Sequence, residues 1–541
     1  MTIDDRIETA GLARVPPSEA IAAIGLADEQ AAAVRAFPSV YSRVDPPVDA
    51  GAVCLVERGP AGPDPRGGTA EGRRSITRIV QAYAAGTLTP PALLDSVLDR
   101  IDAIDGGLHS FVAIDRTGSR TAAAASARRW AAGTSLGPLD GVPVGIKDVI
   151  DVAGLPTRCH SRLTSDAPAM CDAAVVARLR AGGAVILGKL ATHEFAIGGP
   201  AFDLPFPPAR NPWNRGHHPG GSSSGAGAAV AAGLVPLAIG TDTAGSVRNP
   251  ASACGVVGLK PGRGVLPLDG VVPLAWTLDH VGLLTGSVAD MALAAAALGI
   301  DAAAGEIGRV GYVRHFHARD MAASAEMSAA LDRAAAALGA VEVTLPPLGD
   351  FALVNRVILQ SEGFAFHAAD LRRRPELYSA LTRKALLAGA FTTAETLALA
   401  HRRRIALTAA VNAAFERVDI LLTASGMEPA CRIDDPPEIA RSYMLQARTP
   451  FNVTGHPALA MAAGLSAAGL PLSVQFAGRM GDEGRLITVA AAWEAAMGGP
   501  VFPPIGCGTR GSSPPRLRAA RSPDNARFPG SRGVRPGAAP R

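Results

Sequence analysis

Hydrophobic residues follow two different patterns along this chain. In ITRIVQAYAAG, PALLDSVLDRIDAID and DAAVVARLRAGG they recur at three- and four-residue spacing, which is typical of amphipathic helices. In AVILGKL, VPLAIGTD, DILLTA, ALAMAAGL and LPLSVQFAG they form short apolar runs, which predict buried strands. Helices that alternate with short buried strands indicate an α/β protein, in which helices flank a mixed central sheet.

Other segments extend the same alternation. We predict further helices in SRTAAAASARRWAAG and SSGAGAAVAAG, near 324–338, across 350–417 and near 482–496. GVPVGIKDVID and GRVGYV are predicted as short strands, the first leading into a loop.

Composition divides the chain into three parts. Residues 1–72 are predicted to be an extension, helical within 18–37 and followed by a Pro/Gly-rich linker. Residues 73–507 carry the alternating pattern without an internal repeat, and their length allows two to four domains or one large α/β unit. Residues 508–541 are rich in Arg, Pro, Gly and Ser, a composition that predicts a disordered tail.

Charge and cysteine content exclude several classes of function. The net charge is +4, but the tail holds eight Arg and only one Asp, so the remainder is slightly acidic and gives no argument for nucleic-acid binding. The six cysteines contain no CxxC pair, which predicts a reduced, cytoplasmic compartment and no zinc site. The N-terminus lacks the pattern of a signal peptide, and no apolar run reaches the roughly 20 residues of a membrane span.

Lysine is unusually rare, with four residues against 48 arginines. A retained lysine is a candidate for a site that needs a compact ammonium or a group able to lose its proton. Lys147, Lys189 and Lys260 lie in Gly-rich segments within one stretch of the chain, whereas Lys384 lies in a polar helix and is expected to have been retained by chance.

Several motifs for known chemistry are incomplete. GSSSG (221–225) matches the G-x-S-x-G nucleophile elbow, but RGHHPGG precedes it where a strand is required. GAGAAV lacks the third Gly of a dinucleotide motif, and GLKPGRG lacks the spacing of a phosphate loop. The histidines form no H-E-x-x-H, so we predict no metal site.

A serine nucleophile with a lysine base fits the remaining features. Lys147 follows the apolar GVPVGI, and burial there would lower its pKa from about 10.4 toward about 7, where an amine can accept a proton. The TDTAGS turn offers consecutive backbone N–H groups beside a serine, as an oxyanion hole requires.

At these residues the chain resembles the amidase signature family. The resemblance is carried by GVPVGIKDVIDVAGLPT, GKLATHEFAIGGP and GGSSSGAGAAVAAGLVPLAIGTDTAGSVRNPASACGVVGLKP, and by DILLTA, TPFNVTGHPALAMAAG and GLPLSVQFAGR downstream. It extends from roughly Ser75 to Pro503 and implies that residues 73–507 form one large domain with a mixed central sheet flanked by helices.

The resemblance implies a Ser–cis-Ser–Lys triad. Ser246 would be the nucleophile, and Ser222, after a cis peptide bond, would relay a proton between Ser246 and Lys147. The oxyanion hole would use backbone N–H groups of Ser246 and the residues before it, and a further segment would line the substrate pocket. These flanking residues are Thr243, Ala244 and Gly245 for the oxyanion hole, and Ala196, Ile197, Gly198 and Gly199 for the pocket.

The neighbouring residues are expected to be structural. Asp242 and Arg248 would form a charge pair that braces the nucleophile turn, and Ser223 and Ser224 would satisfy loop backbone groups. Lys189 and Lys260 are expected to be structural too, because the family triad has one lysine.

Some residues depart from the family pattern. Ala244 replaces a Gly that is common in the turn, and Asn249 stands where an aliphatic residue is usual. Arg158 and His160 stand where small residues are typical. If these two side chains point into the cleft, they favour acidic or polar substrates.

The resemblance implies an amidohydrolase that cleaves the C–N bond of a linear amide through a serine acyl-enzyme. A free-standing enzyme acting on a small-molecule amide is favoured. The alternative is the glutaminase component of a glutamyl-tRNA amidotransferase, which releases ammonia from glutamine for its partner subunits. A catalytically silent homologue is disfavoured because the triad is complete. No cofactor, nucleic acid or membrane is implied, and a homodimer is one option for the assembly.

Overall fold

A computed structural model describes residues 75–303 and 305–504. The predictions for residues 1–72 and 508–541 lie outside the described residues. Eleven strands form a single sheet. They are β1 (Phe111–Ile114), β2 (Pro143–Lys147), β3 (Val185–Leu190), β4 (Leu237–Thr241), β5 (Val257–Lys260), β6 (Val281–Thr285), β7 (Val310–Tyr312), β8 (Val341–Glu342), β9 (Ile420–Thr423), β10 (Ala458–Leu465) and β11 (Pro471–Gly478).

The sheet is mixed, as predicted. Its strand order is β1-β3-β2-β4-β6-β5-β10-β11-β9-β7-β8. β2 runs parallel to both β3 and β4, and β7 runs parallel to β8 and β9, while the other neighbours are antiparallel. Every residue of β2, β3, β4, β5 and β6 is buried, so both faces of the sheet are covered there.

The helices alternate with these strands. They are α1 (Ile76–Ala84), α2 (Pro90–Ile104), α3 (Arg116–Ala131), α4 (Ala174–Ala181), α5 (Ser224–Ala231), α6 (Arg248–Cys254), α7 (Val288–Ala297), α8 (Ala325–Ala337), α9 (Leu348–Arg373), α10 (Ala380–Leu387), α11 (Ala394–Phe415), α12 (Pro436–Met444), α13 (Thr449–Val453) and α14 (Glu483–Ala496). The α/β class is confirmed, and each predicted helix and strand within the described residues is present.

Local sequence explains where the helices begin. α2 begins at Pro90, whose missing N–H costs nothing in the first turn, and the Thr89 side chain accepts a hydrogen bond from the Ala92 N–H (3.4 Å). Its apolar face, which includes Leu93, Leu94 and Val97, is buried as the periodicity predicts.

The parallel strands position the candidate site. β2, β3 and β4 run in the same direction, so their carboxyl ends meet at one edge of the sheet. Lys147 ends β2, the segment with Ala196–Gly199 follows β3, and the turn with Ser246 follows β4. The carboxyl edge of parallel strands is the usual place for a ligand site in α/β proteins.

Candidate active site

Lys147 lies at the last position of β2 with no exposed surface. Its Nζ donates hydrogen bonds to the hydroxyls of Ser222 (2.8 Å) and Thr241 (2.7 Å). Burial lowers the pKa of Lys147 to about 7, although the negative charges of Asp242 and Asp279 act in the opposite direction. A large fraction of this amine is therefore neutral near pH 7 and able to accept a proton.

Ser222 is held in the loop before α5. The Gly221–Ser222 peptide bond is cis, the geometry that the family resemblance implies for this serine. The Ser222 carbonyl accepts hydrogen bonds from the backbone N–H groups of His193 (3.1 Å) and Ser224 (2.8 Å). These bonds tie the serine loop to the segment that follows β3.

The two following serines satisfy backbone groups. The Ser223 hydroxyl donates to the Thr241 carbonyl (3.1 Å) and accepts from the Thr241 N–H (3.3 Å), and the Ser224 hydroxyl donates to the Ala191 carbonyl (3.4 Å). This confirms the structural role predicted for both hydroxyls.

Asp242 organises the turn that carries Ser246. Its carboxylate accepts hydrogen bonds from the N–H groups of Gly245 (2.9 Å) and Val247 (3.1 Å), and from Arg248 Nε (3.0 Å) and Nη2 (2.8 Å). The predicted charge pair therefore exists and braces the turn. In this structure the Gly245 N–H donates to Asp242 and not into the cavity, and the place predicted for it in the oxyanion hole stays a prediction.

Three other backbone donors in the turn are free. Within the described residues, the N–H groups of Thr243, Ala244 and Ser246 have no hydrogen-bond partner. The Thr243 hydroxyl donates to Asp279 (2.5 Å), and the Asn355 side chain donates to the Thr243 carbonyl (3.1 Å). The turn is thus held rigidly while these donors stay available.

Ser246 is half-buried and precedes α6. The Ser223 N–H donates to the Ser246 carbonyl (3.2 Å), so the two serine loops are adjacent. Lys147 and Ser222 are joined directly, whereas the Ser246 hydroxyl forms no hydrogen bond to any described residue. Catalytic hydrogen bonds are often looser without substrate and shorten when it binds.

A cavity of about 670 Å³ opens beside both serines. All of the predicted pocket and turn residues line it: Ala196, Ile197, Gly198, Gly199, Thr243, Ala244 and Gly245. Much of the remaining wall is aliphatic, with Leu274, Leu359, Leu381, Ile433, Ile439 and Met444. Asn249 also lines the cavity.

Arg158 and His160 do not line this cavity. Arg158 Nε donates to Asp166 (2.7 Å), and His160 Nε2 lies 3.1 Å from the Phe206 carbonyl oxygen. These two side chains therefore do not favour acidic or polar substrates, because both are engaged outside the cavity.

The sequence reasoning missed four residues of the site: Thr241, His193, Tyr443 and Arg448. Thr241 is the last residue of β4, and Lys147 is the last residue of the neighbouring parallel strand β2. A polar residue at the end of a buried strand could have been predicted to contact Lys147. The Tyr443 hydroxyl contacts His193 Nδ1 (3.3 Å), and Tyr443, His193 and Arg448 line the cavity. Tyr443 and Arg448 come from a distant part of the chain, and no local pattern marks them.

Membrane spans and metal clusters are both missing from the described part of the chain. In residues 75–303 and 305–504, no helix has the length and apolar content needed to cross a membrane. In the same ranges, no group of three or more His, Cys, Asp or Glu side chains could hold a metal ion.

Known proteins are similar to this chain in sequence and in fold. The family model described as Amidase matches residues 92–487. The glutamyl-tRNA(Gln) amidotransferase of Synechococcus sp. (strain CC9605) has an A subunit that is 34% identical over 475 residues, which cover 78% of this chain and 96% of that protein.

Solved structures agree with this match. One comes from a vestigial protein complex that reveals the evolutionary origins of an s-triazine catabolic enzyme. It has a TM-score of 0.74 and 31% sequence identity, over 79% of this chain and 99% of that one. A crystal structure of an amidase has a TM-score of 0.73 and 30% identity, over 78% of this chain and 100% of that one. The chain therefore belongs to the amidase signature family and is a hydrolase of that family.

Proposed function

We propose that this protein hydrolyses linear carboxylic amides through an acyl-enzyme on Ser246. The observation that carries the proposal is the 2.8 Å contact between Lys147 Nζ and the Ser222 hydroxyl, made by a fully buried amine. The contact lies next to the cavity that Ser222 and Ser246 line. A buried amine at the end of a hydroxyl relay is a suitable base for a serine nucleophile.

The first half of the reaction forms the acyl-enzyme. The Ser246 oxygen attacks the amide carbon while its proton passes to Ser222, and the Ser222 proton passes to neutral Lys147. The oxyanion is stabilised by the N–H groups of Thr243, Ala244 and Ser246. The C–N bond then breaks, and the proton returns from Lys147 through Ser222 to the leaving nitrogen.

The second half releases the acid. Water attacks the acyl-enzyme and loses a proton to the same relay, and the Ser246 oxygen leaves with a proton from it. The net reaction converts an amide and water to a carboxylic acid and an amine or ammonia. The aliphatic wall of the cavity supports a small organic amide as substrate.

The test is covalent labelling of the purified full chain with a fluorophosphonate probe, followed by intact mass. We expect one adduct on the wild-type protein and none on Ser246→Ala. Ser224→Ala is the matched control and should label like wild type, since its hydroxyl contacts only a backbone carbonyl in the described structure. Labelling that persists in Ser246→Ala would exclude Ser246 as the nucleophile.

One observation favours a second function. The relative from Synechococcus that matches over 96% of its length is one component of a glutamyl-tRNA(Gln) amidotransferase. In such a complex, this chain would release ammonia from glutamine for partner subunits. Hydrolysis of simple amides by the isolated chain favours the free-standing enzyme, whereas activity restricted to glutamine and dependent on added partners favours the amidotransferase role.

A further inference from the structure

The cavity contains a buried guanidinium with few partners. Arg448 lies between α12 and α13, is 3% exposed and lines the cavity. Gly245 has φ +117°, and a Cβ added there would lie 2.6 Å from Arg448 Nε. The guanidinium therefore packs directly on the residue that precedes Ser246.

Most of the N–H donors on this guanidinium have no hydrogen-bond partner among the described residues. Arg448 Nη1 donates to the Ser425 hydroxyl (3.3 Å), and Nε is buried without a hydrogen-bond partner. Among the described residues, no carboxylate forms an ion pair with Arg448, because the nearby Asp242 is already paired with Arg248. An arginine carries five N–H donors, and burying them without partners is costly.

The neighbouring Arg248 shows what a structural arginine looks like in this region. It is fully buried, and its guanidinium bonds to Asp242, to the Gln475 side chain (2.7 Å) and to the Asn452 side chain (2.6 Å). Arg248 is saturated by protein groups, whereas Arg448 keeps unused donors beside the cavity.

The charged side chains that line the cavity favour an anionic ligand. Burial lowers the pKa of Arg448 to about 9, so this side chain is still a cation at neutral pH. Arg356 also lines the cavity, but this residue is exposed, so water and salt screen its charge. The one acidic residue in the lining, Asp203, accepts a hydrogen bond from the Ala380 N–H at the start of α10 (2.9 Å).

We propose that Arg448 binds a carboxylate of the substrate, so that the preferred substrates are amides that carry a carboxylate group. This inference rests on the proposed amidase function. A planar guanidinium matches a carboxylate through two parallel hydrogen bonds, and such a pair in a desolvated pocket discriminates strongly against a neutral analogue. The remaining aliphatic wall would contact the carbon chain of the substrate.

Binding to a protein that cannot turn over tests the inference directly. The Ser246→Ala protein is titrated calorimetrically with succinamate and glutaramate, whose carboxylate lies on the acyl side, and with N-acetylglycine, whose carboxylate lies on the amine side. Butyramide and N-ethylacetamide are the neutral controls. We expect at least one carboxylate to bind about tenfold or more tightly than its neutral control, and the arm that binds identifies the side.

The matched variants localise the effect. Adding Arg448→Met should abolish the preference, and Arg448→Lys should restore part of it, because lysine keeps the charge without the planar pair. Arg356→Met should change the preference less than about threefold, since exposed charges are screened. Circular dichroism checks that each variant is folded, and Arg448→Lys keeps the test valid if Arg448→Met does not fold.

Three results would overturn the inference. They are equal binding of acids and neutral amides, an acid preference that survives Arg448→Met, and a preference lost in Arg356→Met alone. Fluorophosphonate labelling of wild-type Ser246 is scored separately. Labelling without any acid preference leaves the amidase proposal standing and rejects the role of Arg448. Acid binding without labelling rejects the nucleophile and keeps the carboxylate site.

Discussion

Lys147 and Lys189 lie on neighbouring parallel strands, and both are completely buried. Lys189 Nζ lies 3.1 Å from Asp148 Oδ1 and donates to the Thr157 hydroxyl (2.9 Å). Lys147 contacts two hydroxyls instead, those of Ser222 and Thr241. The charge of Lys189 is therefore neutralised by Asp148, whereas Lys147 has no carboxylate at ion-pair distance among the described residues.

The pleat of the sheet produces this difference. Ile146 is the register partner of Lys189, so Lys147 points to the opposite face of the sheet. Asp148, although next to Lys147 in sequence, is directed to Lys189. Alternation thus gives one lysine a counter-ion and leaves the other able to lose its proton.

Burial alone does not make a lysine a base. Burial lowers the pKa of Lys260 well below its usual value, yet within the described residues its hydrogen bond goes to the Pro261 carbonyl (2.9 Å). That lysine has no hydroxyl through which a proton could reach a substrate. Lys189 and Lys260 therefore agree with the structural roles predicted for them.

Exchanging each lysine for methionine should separate chemistry from stability. Lys147→Met should lower kcat by about 10³-fold or more while the protein stays folded, because the relay loses its base. Lys189→Met should instead lower the free energy of unfolding by about 3–5 kcal/mol, because the buried Asp148 carboxylate loses its partner. Amide hydrolysis measures the first effect, and urea denaturation measures the second.

Each variant is the control for the other. Folded Lys189→Met protein should keep a kcat within about threefold of wild type, because Lys189 lies on the opposite face from the relay. A Lys147→Met protein with normal turnover, or a Lys189→Met protein that is stable but inactive, would reverse the assignment of the two residues.

The pH dependence of activity should report the lysine that lacks a counter-ion. Only neutral Lys147 can accept a proton, so kcat/KM should rise with pH and level off above about 7, the pKa that burial gives this amine. Below that value we expect a fall of about tenfold per pH unit, or about a hundredfold at pH 5. Circular dichroism across the same range excludes acid unfolding, and a flat profile from pH 5 to 8 would contradict Lys147 as the base.

The contiguous part of the site was predictable, and the part assembled from distant segments was not. Lys147, Ser222 and Ser246 lie in Gly- and Ser-rich motifs that strands β2 and β4 bring to one edge of the sheet.

Helix α6 was not predicted, because RNPASAC has no apolar periodicity and contains Pro250. This proline is tolerated in the helix only because it falls in the first turn.

A sequence pattern also does not show which of several acceptors takes a given backbone N–H. Nothing in TDTAGS shows that Asp242 takes the Gly245 N–H and leaves the donors on either side free. Arg448 reaches the turn from about 200 residues downstream, where its carbonyl accepts a hydrogen bond from Arg248 Nη1 (2.9 Å). Such contacts depend on β10 and β11 packing beside β5, which periodicity does not specify.

The smallest effect expected concerns the second hydroxyl on Lys147. Thr241→Val keeps the shape of the side chain but removes an acceptor 2.7 Å from Nζ, so Lys147 would be positioned by Ser222 alone. We expect kcat to fall about tenfold with little change in KM, because Thr241 orients the base and is absent from the cavity lining. Losing an acceptor for the Lys147 ammonium also disfavours its charged form, so the acid limb of the kcat/KM profile should move to lower pH.

A purely structural Thr241 would lower the midpoint of thermal unfolding without moving that limb. Thr241→Ser, which keeps the hydroxyl, should restore both kcat and the profile, and its failure to do so would show that the methyl group, not the hydrogen bond, matters.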